Sequence, residues 1–190
     1  MSTKELLFDT IQSPVGPLTI VADGTSIVTL EFGGHEGRME KMLEGRFGAI
    51  TMRRLRDPLG ATSALEAYLA GELNALDVLP VDPGGTPFQQ KVWRALRTIP
   101  VGQAISYAEL AMMVEQPAAY RAVGNANSRN PIAIAIPCHR VIGSSAALTG
   151  YAGGLERKRW LLEHEGFNRS AFVASERERR HHGTEPIAFF

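Results

Sequence analysis

The chain has 190 residues, of which 44% are apolar and 21% charged, and its formal net charge is zero. Such a composition is typical of a globular protein with one large or two small domains. No apolar run reaches membrane-spanning length and no secretory signal is recognisable, so we expect a cytoplasmic or nucleoid-associated protein with no membrane partner. Cys138 is the single cysteine, which excludes an internal disulfide bond and a zinc site built on two thiolates.

The charges are unevenly distributed along the chain. Residues 1–84 carry 7 basic and 12 acidic side chains, a net charge of −5, whereas residues 85–165 carry 9 and 5, a net charge of +4. The second half therefore has the charge sign that suits nucleic acid, although it falls well short of the basic surface of a tight non-specific DNA binder.

The first half predicts a small sheet with helices. Three short runs rich in aliphatic and β-branched residues, separated by Pro and Gly turn signals, indicate an antiparallel hairpin or three-stranded sheet. The runs are residues 6–11, 18–22 and 27–32. Helical patterns follow around residues 38–45 and 62–70, and the Pro- and Gly-rich residues 79–85 predict a linker.

Capping boxes open two helices in the second half. Thr86 and Gln89 enclose a proline suited to the first helical position, and Ser106 is followed three residues later by Glu109. A third helix is predicted from residue 117. The second and third helices, joined by a few residues, form a candidate helix-turn-helix.

The predicted third helix has two different faces. Its inward face is expected to carry small residues at helical spacing, which suits close packing; these residues are Ala119, Ala122, Val123 and Ala126. Its outer face places Arg121 among small polar neighbours, which would let the helix approach a nucleic-acid groove closely. A solvated face with an ordinary surface arginine fits the same pattern, so both interpretations stay open at this point.

A strand and a turn are predicted immediately before the cysteine. Residues 132–136 alternate Ile and Ala as a strand does, and Pro137 cannot continue a central strand. Cys138 on that turn has two interpretations. It is either a small buried hydrophobe, or an exposed, reactive thiol in a cleft whose neighbours His139 and Arg140 favour the thiolate.

The C-terminal part of the chain predicts a loop and one more helix. The glycine-rich residues 150–154 indicate a loop. Residues 155–165 predict a helix with Trp160 and Leu161 directed inward, ended by Gly166.

The motif PCHRV at residues 137–141 resembles the active-site signature of the O6-alkylguanine-DNA alkyltransferases, also called methylated-DNA–protein-cysteine methyltransferases. Further segments resemble this family in order and spacing, densely over residues 85–167 and more loosely before them. They are GTPFQ at 85–89, VW at 92–93, TIPxG at 98–102, SY at 106–107, RAVG at 121–124, NP at 130–131, GYAGG at 150–154 and WLLxHEG at 160–166.

The resemblance implies an α/β (α+β) fold in two parts. An N-terminal, ribonuclease H-like antiparallel sheet with helices is expected over residues 1–84 with its linker. A C-terminal helical domain with a winged-helix-like helix-turn-helix, which binds DNA and accepts the alkyl group, is expected over residues 85–170. Residues 171–190 are polar and are expected to form a disordered tail.

The activity implied by the resemblance is DNA repair by direct damage reversal. A methyl or alkyl group would pass irreversibly from O6-alkylguanine in double-stranded DNA to Cys138, once per molecule, after the base is flipped out through the minor groove. O4-alkylthymine is a second candidate substrate. We expect no cofactor, no metal and a monomeric protein.

The resemblance also implies roles for individual residues in the reaction. Cys138 would be the alkyl acceptor, activated through a water molecule by His139, which Glu165 would orient. Tyr107 would supply the hydrogen bond or proton that helps guanine to leave. Asn130 would tie the turn after the recognition helix to the active-site turn.

For DNA, the resemblance implies that Arg121 takes the place vacated in the base stack. Other DNA-binding residues are expected nearby: Tyr120, Ala122, Gly124 and Ser106. The substrate pocket is expected to include Pro137, Arg140, Val141, Tyr151 and Ala152, with backbone carbonyls near Cys138 and Val141 reading the guanine amino group.

Two residues depart from the family pattern. Tyr120 replaces a small residue before the arginine and would broaden the wedge or alter its fit to the groove. Ala152 stands where some members carry a serine that can bond O6, which leaves only the backbone N–H for that purpose.

Three other functions fit the sequence less well. Alkyltransferase-like proteins that only bind damage carry another residue at the cysteine position, whereas Cys138 is present. A helix-turn-helix regulator would need a polar, base-reading face, which the small neighbours of Arg121 do not supply. A cysteine hydrolase would pair its thiol with a distant histidine rather than with the adjacent His139.

Overall fold

The computed structural model describes residues 3–143, 148–168 and 170. The chain divides into two compact units, of which unit 1 comprises Met1–Gln90 with Asn130–Ile136, and unit 2 comprises Lys91–Arg129 with Pro137–Phe190. The domain boundary predicted between residues 84 and 85 stays a prediction, and the tail predicted over residues 171–190 lies outside the described residues.

Unit 1 is built on a four-stranded sheet in the order β3-β2-β1-β4. The strands are β1 Lys4–Ile11, β2 Leu18–Ala22, β3 Ile27–Phe32 and β4 Ile50–Arg54. The three predicted strands pair antiparallel, as expected. The fourth strand was not predicted, because its sequence ITMRR lacks an apolar run, and it pairs parallel with β1.

Two helices accompany this sheet, α1 Glu36–Phe47 and α2 Ala61–Leu69, in agreement with the sequence prediction. Met39 and Leu43 lie one turn apart on α1 and both are buried. They pack in one core cluster with Leu6, Val21 and Val28 from the sheet. The mixed α/β fold class inferred from the sequence is confirmed.

The predicted linker at residues 79–85 is not free of the sheet. Ile27 forms a parallel bridge with Val81. The backbone N–H of Ile27 donates to Pro80 O at 2.8 Å, and Asp82 N–H donates to Ile27 O at 2.9 Å. The residues after α2 therefore add backbone pairing to β3.

The strand predicted over residues 132–136 is wrong. Only Ile132 forms a bridge, with Leu30, and the chain then turns back so that Ile136 N–H donates to Ile132 O at 3.0 Å. Ile134 has φ +69°, in the left-handed region that costs a β-branched residue on the order of 1–3 kcal/mol. The alternating pattern failed because isoleucines and alanines alike are buried here.

Unit 2 holds most of α3 Pro87–Leu96, followed by α4 Tyr107–Met113, α5 Tyr120–Ser128 and α6 Leu155–His164. A short parallel pair joins β5 Ile105–Ser106 to β6 Val141–Ile142. Both capping boxes are confirmed, because Thr86 exchanges hydrogen bonds with Gln89, and Ser106 with Glu109. In the described part of the chain, no helix is both long and apolar enough to cross a lipid bilayer.

The helix α5 differs in detail from its prediction. A 3₁₀ turn over Pro117–Ala119 precedes it, and the α-helix begins at Tyr120. Val123 and Ala126 are buried as expected, but Ala122 is exposed and Asn127 is buried instead. Residues 123, 126 and 127 lie on one helical stripe, and residue 122 is rotated about 100° from residue 123.

The helix α6 also follows its prediction with one change. Leu161 is buried as predicted, whereas Trp160 is only half-buried and stacks on His164 with ring centroids 4.7 Å apart. Leu162 takes the second inward position. Gly166 adopts φ +78° after the helix, which confirms the predicted end.

Candidate active site

The cysteine lies on a tight turn of unit 2. Cys138 begins a 3₁₀ turn, Cys138–Arg140, between Pro137 and β6. Of the two interpretations of Cys138, exposure of the thiol is wrong, because only 6% of the residue's surface is accessible. The reason is that the whole run of residues 130–142 is buried. A nucleophile placed here is shielded from bulk solvent.

A buried ion pair lies beside this turn. His139 Nε2 is 3.0 Å from Glu165 Oε1. Arg140 donates two hydrogen bonds to the same carboxylate, from Nε to Oε2 at 2.8 Å and from Nη2 to Oε1 at 2.9 Å. Its Nη1 donates to Ile99 O at 2.5 Å. A role for Arg140 in the substrate pocket stays a prediction, but its guanidinium is committed to these partners.

These contacts set the protonation states of the pair. Burial alone would raise the pKa of Glu165, but the attraction of His139 and hydrogen bonds from His139 and Arg140 outweigh it and hold that pKa far below its usual range. Burial lowers the pKa of His139, against the opposing attraction of Glu165. The imidazole is therefore neutral at pH 7, and Nε2 carries the proton donated to the carboxylate.

The second ring nitrogen of His139 is then a hydrogen-bond acceptor. Nδ1 is buried and has no hydrogen-bond partner among the described residues. In a neutral imidazole that donates from Nε2, this nitrogen carries the lone pair that can take a proton. The arrangement of acceptor, neutral imidazole and carboxylate beside a cysteine is that of an activated nucleophile.

Two buried asparagines donate hydrogen bonds to backbone carbonyls, each within its own unit. In unit 1, Asn130 Nδ2 donates to Ile136 O at 2.8 Å and to Ile132 O at 3.3 Å. In unit 2, Asn127 Nδ2 lies 3.4 Å from the carbonyl oxygen of Cys138 itself. Asn130 was predicted from the resemblance. Asn127 was missed, although an asparagine on the inward stripe of an amphipathic helix is a detectable signal.

A buried lysine was also missed by the sequence analysis. Lys158 on α6 is fully buried, and its Nζ donates to Val141 O at 2.6 Å and to Thr149 O at 2.8 Å. Nζ also lies 6.0 Å from the ring centroid of Tyr151. Burial lowers the pKa of Lys158 to about 8, and attraction to Cys138 opposes this shift. Its spacing of three and four residues from Leu161 and Leu162 places it on the inward stripe of α6, a signal that the sequence analysis did not use.

Tyr107 lies beside two glycines, Gly124 and Gly150. Its hydroxyl is 3.5 Å from Thr149 O, to which it donates. A Cβ on Gly124 would lie 3.6 Å from the Tyr107 ring, and a Cβ on Gly150 would lie 3.5 Å from its hydroxyl. Burial raises the pKa of Tyr107, so the phenol keeps its proton at neutral pH.

The outer face of α5 is confirmed as a face of small residues around one cation. Arg121, Asn125 and Ser128 are exposed, and Gly124 is half-buried. Ala122, predicted on the inner face, is exposed as well. Tyr120 is 48% exposed, and the Arg121 guanidinium carbon lies 5.7 Å from the centroid of its ring.

The remaining predicted site residues fall into two groups by exposure. Pro137 and Val141 are buried and Ala152 is exposed. Ser106, predicted to bind DNA, is 5% exposed, and its hydroxyl caps α4 by accepting from Glu109 N–H at 3.2 Å. Contact of this side chain with DNA is therefore not supported. No group of three or more His, Cys, Asp or Glu residues in the described ranges could hold a metal ion.

Two family models match the chain in succession. The ribonuclease-like domain of the 6-O-methylguanine DNA methyltransferases matches residues 6–83, and their DNA-binding domain matches residues 87–167. The methylated-DNA–protein-cysteine methyltransferase of Shigella flexneri is 45% identical over 165 residues, which cover 85% of this chain and 96% of the relative. The Mycobacterium bovis protein of the same name is 48% identical over 161 residues, covering 83% and 91%.

Solved structures show the same similarity. The crystal structure of Mycobacterium tuberculosis O6-methylguanine methyltransferase aligns with a TM-score of 0.70 at 41% identity, covering 85% of this chain and 93% of the other. A crystal structure of the Mycobacterium tuberculosis protein in complex with DNA aligns with a TM-score of 0.69 at 40% identity, covering 90% and 99%.

Proposed function

The chain belongs to the 6-O-methylguanine DNA methyltransferase family, and we propose that it repairs DNA by moving the alkyl group of O6-alkylguanine onto its own Cys138. The observation that carries this proposal is the buried pair His139–Glu165 directly beside the single cysteine. A buried carboxylate that holds a neutral imidazole next to a thiol serves to activate the thiol.

The reaction is a displacement at the alkyl carbon. His139 Nδ1 accepts the thiol proton through a water molecule, and the Cys138 thiolate attacks the alkyl carbon as the bond from that carbon to guanine O6 breaks. Tyr107, which is protonated at neutral pH, gives its proton to the departing guanine, and the proton taken up by His139 returns through water to the Tyr107 oxygen, so that the thiol proton ends on guanine. The products are unmodified guanine and a thioether on Cys138.

The base has to leave the duplex before the sulfur can approach it in line. Residues 87–167 are the family's DNA-binding domain. Within it, we assign Arg121 to the vacated place in the base stack, with Tyr120, Ala122 and Gly124 against the minor groove. Small side chains on this face permit the close approach that such binding requires. We assign the pocket for the flipped base to Pro137, Arg140, Val141, Tyr151 and Ala152.

Each molecule acts once. A thioether is a poor electrophile at neutral pH, so alkylated Cys138 does not regenerate. The reaction needs no cofactor, because the nucleophile, its base and the donor to the leaving group are all side chains of this chain. We propose that the protein acts as a monomer on double-stranded DNA in the cytoplasm, at the nucleoid.

The test is incubation with a duplex that carries O6-methylguanine labelled in the methyl group. The label should move to the protein, stop at one equivalent, and lie in the tryptic peptide that contains Cys138. The Cys138→Ser variant should take up none. Label that stays on the DNA, or turnover well beyond one equivalent, would contradict the proposal.

A further inference from the structure

Asn127 is a buried polar residue that the proposed mechanism does not use. It lies near the end of α5 and is 2% exposed. Its amide nitrogen is 3.4 Å from the carbonyl oxygen of Cys138, whereas its amide oxygen Oδ1 is buried with no hydrogen-bond partner among the described residues. Half of this carboxamide therefore contacts the main chain of the nucleophile, and the other half is unsatisfied.

A buried acceptor without a partner is unfavourable and uncommon in folded proteins. A leucine has the same branched arrangement of side-chain heavy atoms as an asparagine, although it is larger, and it carries no polar group with that desolvation cost. Val123 and Ala126, which share the buried stripe of α5, are apolar as packing favours. An asparagine at position 127 is thus poorly explained by stability, which points to a requirement of the site itself.

The same helix carries the arginine assigned to the base stack. Arg121 is exposed on the outer face of α5, and Asn127 follows six residues later on the inner face, about 9 Å farther along the helix axis. The helix is anchored on its inner side as well, since Trp93 Nε1 donates to Ala126 O at 2.9 Å. A rigid helix thus connects the DNA-facing arginine to the backbone of Cys138.

We propose that Asn127 is a positioning residue for alkyl transfer, which holds the main chain of Cys138 at a set place relative to α5. This inference rests on the proposed function. Displacement at carbon needs the sulfur in line with the breaking bond, and a misplacement of about 1 Å can cost on the order of 100-fold in rate. Asn127 acts on alignment, while activation of the thiol stays with His139 and Glu165.

The test compares Asn127→Leu with the wild-type protein in single-turnover label transfer from the damaged duplex. The variant should fold with a melting temperature close to that of the wild type, because removal of the unsatisfied oxygen offsets the larger volume of leucine. Its transfer rate should fall by about 10- to 100-fold. The pH midpoint of its reaction with iodoacetamide, which reports thiol ionisation without DNA, should stay at the wild-type value.

Val123→Ala is the matched control, since it opens a cavity on the same buried face of α5 and removes no hydrogen bond to Cys138. It should lower the melting temperature and leave the rate per folded molecule within about twofold of wild type. If Asn127→Leu does not fold, Asn127→Ser is measured by the same criteria.

Wild-type transfer rates in the folded Asn127 variant would overturn the inference. So would a shifted iodoacetamide midpoint, which would assign Asn127 to thiol ionisation, or an equal rate loss in Val123→Ala, which would reduce its role to packing. Failure of the wild-type protein to take up label at all would instead overturn the proposed function.

Discussion

Nε2 of His139 and Oε1 of Glu165 are 3.0 Å apart, and neither side chain is open to solvent. A lone carboxylate at such a site would be strongly destabilising, but the guanidinium of Arg140 supplies the balancing charge. The imidazole can therefore stay neutral beside an ionised carboxylate. This division of charge keeps His139 available as a base instead of fixing it as a cation.

Replacing Arg140 should destabilise the fold strongly. Arg140→Met leaves the charge of Glu165 buried without its cation, and we expect a loss of about 3–5 kcal/mol in the free energy of unfolding. Arg140→Lys should lose less, because it keeps the charge but not the two-pronged hydrogen bonding. Urea denaturation followed by circular dichroism measures both.

The control for the Arg140 variants is an exposed ion pair on α6, the helix that Glu165 follows. Arg159 contacts Glu156 at 3.3 Å on the surface of α6, and Arg159→Met should change stability by no more than about 1 kcal/mol. Equal effects of the Arg140 and Arg159 substitutions would refute the role given to the buried pair.

Stability should fall as the pH drops below about 6.5, the ordinary pKa of histidine. The unfolded chain protonates His139 there, while the native chain keeps it neutral because burial lowers its pKa. The unfolded state then binds more protons, so acid favours unfolding. Glu165, whose native pKa is depressed, adds a second decline below about pH 4.3.

Urea midpoints measured between pH 4 and pH 8 check this pH dependence. The decline below about pH 6.5 should be shallower in His139→Asn, because the titrating group is gone. An identical pH profile in the variant would show that other groups cause the decline.

Lys158 should make stability rise with pH on the alkaline side. Its native pKa of about 8 lies below the value of the unfolded chain. Between about pH 8 and pH 10.4 the native amine loses its proton while the unfolded one keeps it, which favours the folded state by at most about 3 kcal/mol. Lys158→Met should lack this increase in a comparison of urea midpoints at pH 8 and pH 10, and a parallel increase in both proteins would contradict the prediction.

Arg121→Ala should slow repair of the duplex and leave the reactivity of the Cys138 thiol unchanged. Without the arginine nothing occupies the gap in the base stack, so flipping becomes less favourable. The reaction of Cys138 with a free O6-alkylguanine base, which needs no flipping, should keep its wild-type rate. An equal loss of rate on both substrates in a single-turnover assay would contradict the assignment of Arg121 to the base stack.

Tyr120→Ala should weaken duplex repair less than Arg121→Ala does. The ring of Tyr120 lies 5.7 Å from the Arg121 guanidinium carbon, a contact worth about 0.5–1 kcal/mol at an exposed site. Its loss should lower the rate on duplex DNA by about two- to fivefold, since 1.4 kcal/mol corresponds to tenfold. Tyr120→Phe keeps the ring and should react at the wild-type rate; a loss equal to that of the alanine variant would assign the effect to the hydroxyl.

The local features of this fold follow from residues close together in the chain. The capping boxes at Thr86 and Ser106 and the glycine that ends α6 were predicted correctly, since each involves hydrogen bonds or a backbone conformation within about four residues. The family signature around Cys138 was readable for the same reason. A cysteine, its adjacent histidine and a proline turn are contiguous in the sequence.

Long-range partners were decided only by tertiary structure. Alternation of Ile and Ala predicts a strand wherever a partner edge exists, yet Ile132 alone finds one, and Ile134 turns through a left-handed conformation. Helical spacing places Asn127 and Lys158 on inward stripes, but nothing local indicates which groups they contact. Their roles arise because folding brings the carbonyls of Val141 and Cys138 within reach of their nitrogens in a buried region, where an unpaired polar group is costly. The sequence by itself thus determined the nucleophile and the chemistry around it, and the tertiary structure determined which distant side chains hold that nucleophile in place.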